Sequence, residues 1–466
     1  MMPASAVAFA SVAYAVVFSV LGADRYATFH SGADLGLFVQ TIASAFSGFR
    51  NTVEGTSHFA YHFSPILYLL APLLWLTRSA FALVVVQAFA TAAIVPAIYA
   101  IARKRTSDAW AAGIACIALL YPPLQGVTFT DFHEVGLAPA AVAWLLWAID
   151  ARRFGIAAVL LAAVLSIKED QAPAMAFLGV AGCVYFGRRG ERGGFVFSAM
   201  AAAAAMAVFG AYFTIVRPLA GAQERWIPSH FYAWGEGAPA IPLPAQIIGR
   251  LTYALEALVP LAFLPLRSPV ILLAIPGFAE VLASREPLTY TMGQHYAAAW
   301  IPYVLVAFAL SAARLLERSP VAGARWIRAS AVLCVLTTVF FSPLHLGHFL
   351  RMPQARDAAT RAAIAALPRS ASIGTYDEIY AHLGFFPGAA IGIRAHPEYV
   401  LYDQRYVSSA WSQRWFPAIA RALAGGAYAV VSKRDGVIVL QSVPATNGRR
   451  SKTPPKATSS APVAGP

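Results

Sequence analysis

Acids, histidines and a lysine that could carry out chemistry recur in short polar segments between long apolar runs of the chain. Ionisable groups near membrane depth are costly unless they are paired or used, so their positions are informative. Four segments supply them: Asp34, Glu54, His58 and His62; Asp131, His133 and Glu134; Lys168, Glu169 and Asp170; and Glu286 and His295. Carboxylates and imidazoles of this kind can act as general acids and bases.

Asp34 stands directly before an amphipathic stretch of the chain. One interpretation is a helix N-cap, because an aspartate at that position accepts hydrogen bonds from backbone N–H groups. The other is a general base that takes a proton from an acceptor hydroxyl in a partly dry cavity. The two interpretations are compatible.

The segment from Asp131 to Glu134 packs three ionisable groups into four positions before an apolar helix. It is either a solvated capping turn or part of a site. His58 and His62 lie four residues apart and would share one face of a helix. Together with His133 and Glu134 they could complete a divalent metal shell, although the segment contains no recognised metal motif.

The Lys168-Glu169-Asp170 segment admits two interpretations. It could be a tight turn between helices in which the lysine extends its ammonium to the membrane interface. Alternatively Lys168, Arg217 or Arg285 could hold a lipid-linked phosphate, whose charge requires a fixed cation.

His295 and Tyr296 end a polar loop at the start of an apolar run. A histidine with all its hydrogen bonds satisfied is the interpretation that this isolated position favours. Asp34, Asp131, His133 and Glu134 are expected within about 10 Å of one another, a spacing that one substrate could bridge.

The composition places the elements that hold these residues in a membrane. The chain has 466 residues, of which 59% are hydrophobic and 12% charged, and its mean hydropathy is +0.60. Soluble domains carry about 25% charged residues. The net charge of +13 comes mostly from clusters between apolar runs, which orient helices and do not indicate nucleic acid binding. The cysteines at 116, 183 and 334 lie in apolar runs and predict neither disulfides nor a metal site.

The basic clusters predict the topology. Clusters at 103–105, 152–153, 188–192 and 314–328 are expected inside, so the polar turns at 121–134 and 168–170 are expected outside. Residues 4–21 are interpreted as a retained first helix, with a cleaved signal peptide as the alternative. The short apolar segment 63–76 is interpreted as interfacial or re-entrant, within an external loop over 23–79. Further spans are expected at 247–266 and 269–284, and the N-terminus is expected in the cytoplasm.

The hydropathy changes character after residue 342. A helix is predicted over 355–367 and short strands around residues 373, 391 and 399. The Asp435-Gly436 pair between two apolar runs predicts a β-hairpin. Residues 343–443 are therefore expected to form a small external α/β domain, after a transmembrane domain over 1–342 and before a disordered tail over 444–466.

The order of these segments resembles the domain-of-unknown-function family numbered 2079, a family of predicted membrane proteins, to about residue 440. The resemblance rests on several short segments taken in order: Ser31-Gly-Ala-Asp-Leu-Gly-Leu-Phe-Val-Gln40, His62-Phe-Ser-Pro65 with Ala71-Pro72, Gln87-Ala88, Tyr121-Pro to Asp131-Phe-His133, Lys168-Glu-Asp170 and His295-Tyr296.

That family is similar to the C-type glycosyltransferase (GT-C) fold group, whose members take a sugar from a polyprenyl phosphate donor at the non-cytoplasmic face. The resemblance implies an α-helical polytopic membrane protein with about eleven transmembrane helices and a small soluble C-terminal α/β domain. It implies that Asp34 is the catalytic acid-base residue, that Asp131 or Glu134 is a second acidic residue of the catalytic site, and that Lys168 contacts the donor phosphate. Substrate-binding roles follow for the remaining polar residues: His62, His133, Glu169, Asp170, His295 and Tyr296.

The resulting hypothesis is a plasma-membrane glycosyltransferase, or a protein similar to one, that transfers a sugar from a polyprenyl phosphate donor to an external lipid, glycan or protein. The alternative is a non-enzymatic lipid or glycan carrier, or a scaffold whose tail domain binds a partner. A divalent metal stays open as a cofactor.

Overall fold

The computed structural model describes residues 3–222, 227–235, 241–393, 396–403 and 416–443. These residues form a helical body and, near the C-terminus, a small sheet with its own helices. The tail that was predicted to be disordered, 444–466, lies outside the described residues.

The helices of the first part of the chain begin beside most of the polar segments identified above. They are α1 (Pro3–Ala27), α2 (Ala33–Ala43), α3 (Ala71–Thr77), α4 (Phe81–Ala92), α5 (Ile94–Ala102), α6 (Asp108–Ile117), α7 (Pro122–Phe129), α8 (Ala138–Asp150), α9 (Phe154–Leu165) and α10 (Gln171–Gly187).

The later helices are α11 (Arg192–Ala211), α12 (Arg217–Leu219), α13 (Leu243–Leu258), α14 (Ile275–Ala283), α15 (Ile301–Arg318), α16 (Pro320–Phe340), α17 (Leu346–Phe349), α18 (Ala355–Ala366), α19 (Asp377–Tyr380) and α20 (Phe416–Ala424). Short 3₁₀ helices connect several of them, including His58–Ala60, Pro65–Leu70, Ala118–Leu120, Glu134–Leu137, Val259–Leu261, Leu264–Arg267, Pro269–Ala274 and His295–Ala299.

Four helical segments among the described residues are long and apolar enough to cross a membrane: Pro3–Ala27, Phe81–Ala102, Arg192–Leu219 and Pro320–Phe340. A fifth candidate is the pair Asp108–Leu120 and Pro122–Phe129, which bends by 54° at its break. The segment interpreted as interfacial folds as Pro65–Thr77, which is too short to cross a hydrocarbon core of about 30 Å.

Two predicted elements were wrong, and proline accounts for both errors. The segment 121–134 was expected to be a turn, but it contains helix α7. A helix can begin there because Pro122 occupies the first helical position, where proline is tolerated. All residues of α7 are buried. The single helix expected over 247–266 ends at Leu258. Ala262 and Phe263 then adopt left-handed conformations between two proline-containing 3₁₀ helices.

The C-terminal sheet has strands β1 (Ile373–Thr375), β2 (Ala389–Ile391), β3 (Tyr399–Asp403), β4 (Tyr428–Arg434) and β5 (Val437–Ser442). Their order is β2-β1-β3-β5-β4, with β1 parallel to β2 and β3, and β5 antiparallel to β3 and β4. The predicted hairpin is confirmed: Asp435 and Gly436 both have positive φ values, as a tight β4–β5 turn requires.

The sheet domain packs on α2, the helix that begins beside Asp34. Gln40 donates from Nε2 to the carbonyls of Phe386 (2.9 Å) and Ala389 (3.0 Å), and it accepts at Oε1 from the Tyr380 hydroxyl (2.7 Å). Both faces of α2 are therefore used, since Leu35, like other residues of the helix, packs toward the helical body.

Candidate active site

Asp34 and His133 form the centre of the site. Helix α2 begins at Ala33 with Gly32 as its N-cap, so Asp34 lies in the first helical turn and the N-cap prediction was wrong. Its Oδ2 lies 3.2 Å from Nε2 of His133, and the Asp34 side chain keeps 30% of its surface exposed. A carboxylate in the first turn of a helix also interacts favourably with the helix dipole.

The second nitrogen of His133 fixes where the proton of this pair resides. Nδ1 lies 2.9 Å from the carbonyl oxygen of Asp131, which can only accept, so Nδ1 carries a hydrogen. Nε2 faces the Asp34 carboxylate at 3.2 Å, and a hydrogen must lie between these two atoms for them to bond. That hydrogen is either carried by Nε2 or shared with Asp34. Burial opposes charge on both groups, but their mutual attraction exceeds it. The pKa of His133 is raised and that of Asp34 is lowered from their ordinary values.

Gln87 of α4 holds the loop that carries His133. It is 1% exposed. Its Nε2 donates to the carbonyls of Val127 (3.0 Å), Thr130 (2.9 Å) and Asp131 (3.3 Å), and its Oε1 accepts from the backbone N–H of His133 (2.9 Å). One side chain thus forms hydrogen bonds to four backbone groups of this loop and fixes the position of the His133 imidazole.

The carboxylate of Asp131 joins two helices near the pair. It forms an ion pair with the buried guanidinium of Arg25, at the end of α1, and its Oδ2 accepts from the backbone N–H of Gly32 (2.6 Å). Arg25 also donates to the carbonyl of Phe129. These contacts favour a positioning role for Asp131 over the catalytic role that the family resemblance implied.

Lys168 lies between carboxylates and does not extend into an interface. Its Nζ is 3.8 Å from Glu134 and 3.5 Å from Asp170, and its side chain is 14% exposed. Burial opposes charge on Lys168, but the surrounding acids, Glu280 among them, raise its pKa well above the ordinary value. Burial raises the pKa of Asp170 despite the adjacent ammonium. The interface interpretation of Lys168 was therefore wrong.

His62 and Glu169 connect the first polar segment to the Lys168 turn. His62 Nδ1 lies 2.8 Å from Glu169 Oε1, and the backbone N–H of Phe63 donates to Oε2 (2.7 Å). Burial opposes ionisation of Glu169, but His62, Lys168 and this N–H bond outweigh it and lower its pKa to about 2. The N–H of Ile66 donates to the Ser166 carbonyl beside this contact.

His295 stacks on His133 and leaves one nitrogen without a partner. The ring centroids are 3.5 Å apart, and the ring of Tyr296 follows at 4.0 Å. His295 Nδ1 is buried without a hydrogen bond, so the prediction of a satisfied structural histidine was wrong. Burial, followed by the positive charges of His133 and Lys168, holds the pKa of His295 well below its ordinary value. The stack thus joins an imidazole whose pKa is lowered to one whose pKa is raised.

The four residues suggested for a metal shell are engaged separately. His58 Nδ1 lies 2.9 Å from Glu54 Oε1, whereas His62 is bonded to Glu169, His133 to Asp34, and Glu134 lies beside Lys168. Across the described ranges, no group of three or more metal-donor side chains is arranged around a common point. The structure gives this metal hypothesis no support.

Two arginines were also suggested as phosphate contacts. Arg285 donates from Nη1 to the carbonyl of Ala233 (2.6 Å), and its backbone N–H donates to Phe231 (2.8 Å). Arg217 is 9% exposed at the short helix α12.

The family model described as "Predicted membrane protein (DUF2079)" matches residues 25–439. The chain belongs to this family. No curated protein matches the DUF2079 chain. The solved structures that match include the crystal structure of ArnT from Cupriavidus metallidurans bound to undecaprenyl phosphate. The TM-score is 0.56 at 15% identity, over 94% of this chain and 98% of that chain. The GT-C resemblance is thereby confirmed at the level of the fold.

Three side chains of this site are functional positions that the sequence did not predict: Arg25, Glu280 and Gln87. Arg25 is a charge at the end of the first apolar run, and Glu280 is an acid within an apolar segment. Charged residues are rare at such positions, so both could have been recognised from the sequence as candidate functional residues. Gln87 gave a weaker signal, because an amide in an apolar run reveals neither how many partners it has nor where they lie.

Proposed function

We propose that this chain is a membrane glycosyltransferase that moves a sugar from a polyprenyl phosphate donor to an acceptor hydroxyl at the non-cytoplasmic face. The observation that carries the proposal is the Asp34–His133 pair, in which a carboxylate is held ionised beside a buried imidazole. The fold likeness to ArnT, whose structure holds undecaprenyl phosphate, supports the donor class.

The pair suits a single displacement at the anomeric carbon. Asp34 accepts the proton of the acceptor hydroxyl while the oxygen attacks, the new C–O bond forms, and the bond to phosphate breaks. The electron pair leaves with the polyprenyl phosphate. His133 keeps Asp34 ionised before the step, and general-base assistance of this kind contributes about 10²–10⁴-fold.

Lys168 is the cation assigned to the leaving phosphate, because its charge also lowers the pKa of Asp34. Its contacts with Glu134 and Asp170, at 3.8 and 3.5 Å, are ion pairs without short hydrogen bonds. An incoming phosphate would replace them, and proton uptake by Asp170, whose pKa is already raised, would reduce the excess of negative charge. Glu134 Oε2 and His295 Nδ1, both buried without partners, would receive substrate polar groups. His62, Glu169 and Tyr296 would line the same region.

In this proposal the site lies at the non-cytoplasmic face of the membrane and the N-terminus lies in the cytoplasm. The chain has about eleven spans and an external C-terminal domain. Contacts among the basic clusters support the orientation. Lys104 Nζ lies 2.7 Å from Asp150, and Arg152 Nε lies 2.6 Å from Glu191. Helix α8 runs from the Glu134 segment to Asp150, so these basic residues lie at the opposite end of the body from the site.

The test uses the full-length protein in detergent with a panel of polyprenyl phosphate sugars. A donor that binds the folded state raises the melting temperature, and sugar transfer from it is then measured. Asp34→Asn is expected to lose transfer by about 10²–10⁴-fold while the protein stays folded. The control is Asp108→Asn, which removes an exposed carboxylate paired with Arg103 in the basic region.

Both variants remove one negative charge from an aspartate in the first turn of a helix. Equal transfer by Asp34→Asn and Asp108→Asn would exclude Asp34 as the base. If a folded sample binds no donor in the panel, the carrier or scaffold alternative replaces the enzyme hypothesis.

A further inference from the structure

A cleft of about 440 Å³ lies where the end of α1 meets the C-terminal domain, and neither Asp34 nor His133 lines it. Its lining includes Tyr26 and Ala27 of α1 and Arg361, Arg369 and His382 of the C-terminal domain. Its remaining lining is apolar, and no carboxylate is among the described residues that line it. The cleft therefore has the volume and the charge of an anion site.

The two arginines are held in place but keep donors to offer. Arg361 donates from Nη1 to the carbonyl of Ala27 (2.7 Å), which uses one of its five N–H groups. The guanidinium carbon of Arg369 lies 4.4 Å from the centre of the Phe386 ring. Such a contact occupies the face of the guanidinium, whereas the N–H donors lie in its plane and suit phosphate oxygens.

His382 supplies an acceptor beside these cations. Its ring lies 4.0 Å from that of Tyr26 and 4.0 Å from that of Phe29, measured between centroids. Burial is the main cause that lowers its pKa to about 3, so the ring is neutral. One ring nitrogen of His382 donates to the backbone of Tyr26, and the other, Nε2, has no partner. A neutral imidazole that donates at one nitrogen can only accept at the other.

We infer that this cleft binds a phosphate group that carries a neighbouring hydroxyl, as a glycerol phosphate head group does. Arg361 and Arg369 receive the phosphate, and the hydroxyl donates to His382 Nε2. The apolar lining, which includes Pro353 and Ile364, accommodates the carbon skeleton. The position at the end of α1, a helix long enough to span a membrane, favours a lipid as the source over a free phosphate ester.

The inference is tested on the full-length protein in detergent, with melting temperature followed during titration. Phosphatidylglycerol is the probe, phosphatidylmethanol is the equally charged lipid without hydroxyls, and phosphatidylcholine is the zwitterionic reference. The wild type is expected to prefer phosphatidylglycerol over phosphatidylmethanol by about tenfold, the worth of one buried hydrogen bond. The double variant Arg361→Gln and Arg369→Gln is expected to bind both anionic lipids at least about tenfold more weakly.

Two controls separate this result from a general loss of charge or of fold. Arg421→Gln with Arg434→Gln removes the same charge from the same domain, outside the residues that line the cleft, and should bind like the wild type. His382→Phe keeps an aromatic ring between Tyr26 and Phe29 and should abolish only the preference for phosphatidylglycerol.

Competition by glycerol 3-phosphate distinguishes the source. Displacement of the lipid by the free ester would assign the cleft to a soluble ligand with the same chemistry, and the absence of displacement would assign it to the lipid. Equal binding of all three lipids, or equal loss in the cleft and control double variants, would overturn the inference.

Discussion

At the scale of single residues, the Asp34–His133 pair makes the stability of the protein depend on pH in a defined direction. The pKa of His133 is raised, so its contribution is complete below pH 6.5 and is lost as pH rises through the higher folded-state value. The pKa of Asp34 is lowered, so its contribution is present above pH 3.8 and is lost as pH falls through the lower folded-state value. The pair stabilises most between these limits.

His133→Gln tests this directly, because glutamine keeps a polar donor but cannot carry charge. The variant is expected to unfold about 1–3 kcal/mol more easily where both groups are charged. The difference from wild type should shrink as pH rises above 6.5, the ordinary value for histidine. Denaturant unfolding across this range is the measurement, and His345→Gln, at an exposed position, is the control. A difference that stays constant with pH would show that folding does not raise the pKa of His133.

Residue type alone could locate the site but could not assign roles within it. Asp34, Asp131 and Glu134 are all acids in polar segments, and residue type does not distinguish their roles. Their partners do: Asp34 faces an imidazole, Asp131 binds Arg25 across the fold, and Glu134 lies beside Lys168. These partners come from distant parts of the chain, so no local pattern reveals them.

At the scale of elements, helix boundaries followed from the sequence where composition changes sharply. Helix α10 (Gln171–Gly187) runs from the polar turn at 168–170 to the basic cluster at 188–192, because these polar segments flank it on both sides. The break after Leu258 was not foreseen, because the prolines that cause it stand in an apolar run. Proline also explains why α7 was not predicted, since Pro122 can either begin or end a helix.

Gln87 of helix α4 holds the loop that carries His133. Gln87→Leu preserves most of the volume but removes the side-chain partner of the Val127 and Thr130 carbonyls and of the His133 N–H. The Asp131 carbonyl keeps its hydrogen bond from His133 Nδ1. We expect a loss of about 2–4 kcal/mol in the free energy of unfolding, and lower sugar transfer in the protein that still folds.

The matched control for Gln87→Leu is Gln125→Leu. Gln125 is also buried, but among the described residues its side chain donates to one backbone carbonyl, that of Leu119 (3.0 Å). Melting temperature and transfer are measured for both variants. Equal effects on transfer would mean that Gln87 does not position the His133 loop.

At the scale of the whole molecule, the C-terminal domain and the candidate site share helix α2. The first turn of α2 presents Asp34 to His133, and Gln40, later in the helix, bonds to the sheet domain. The contact is close, since a Cβ at Gly384 would approach Val39 to 2.5 Å. Displacement of the domain would therefore disturb the helix that orients the proposed base.

Gly36→Ala separates the stability of α2 from its docking on the domain. Alanine favours a helix over glycine by about 1 kcal/mol, yet its Cβ would meet the carbonyl oxygen of Tyr380 at 2.6 Å. We expect a net loss of about 1–3 kcal/mol from this crowding, faster proteolysis of the C-terminal domain and reduced transfer. Gly113→Ala in α6, where a Cβ meets nothing within 4 Å, should instead raise the melting temperature. If Gly36→Ala also raises it and transfer is unchanged, then α2 does not need the domain to hold Asp34 in place.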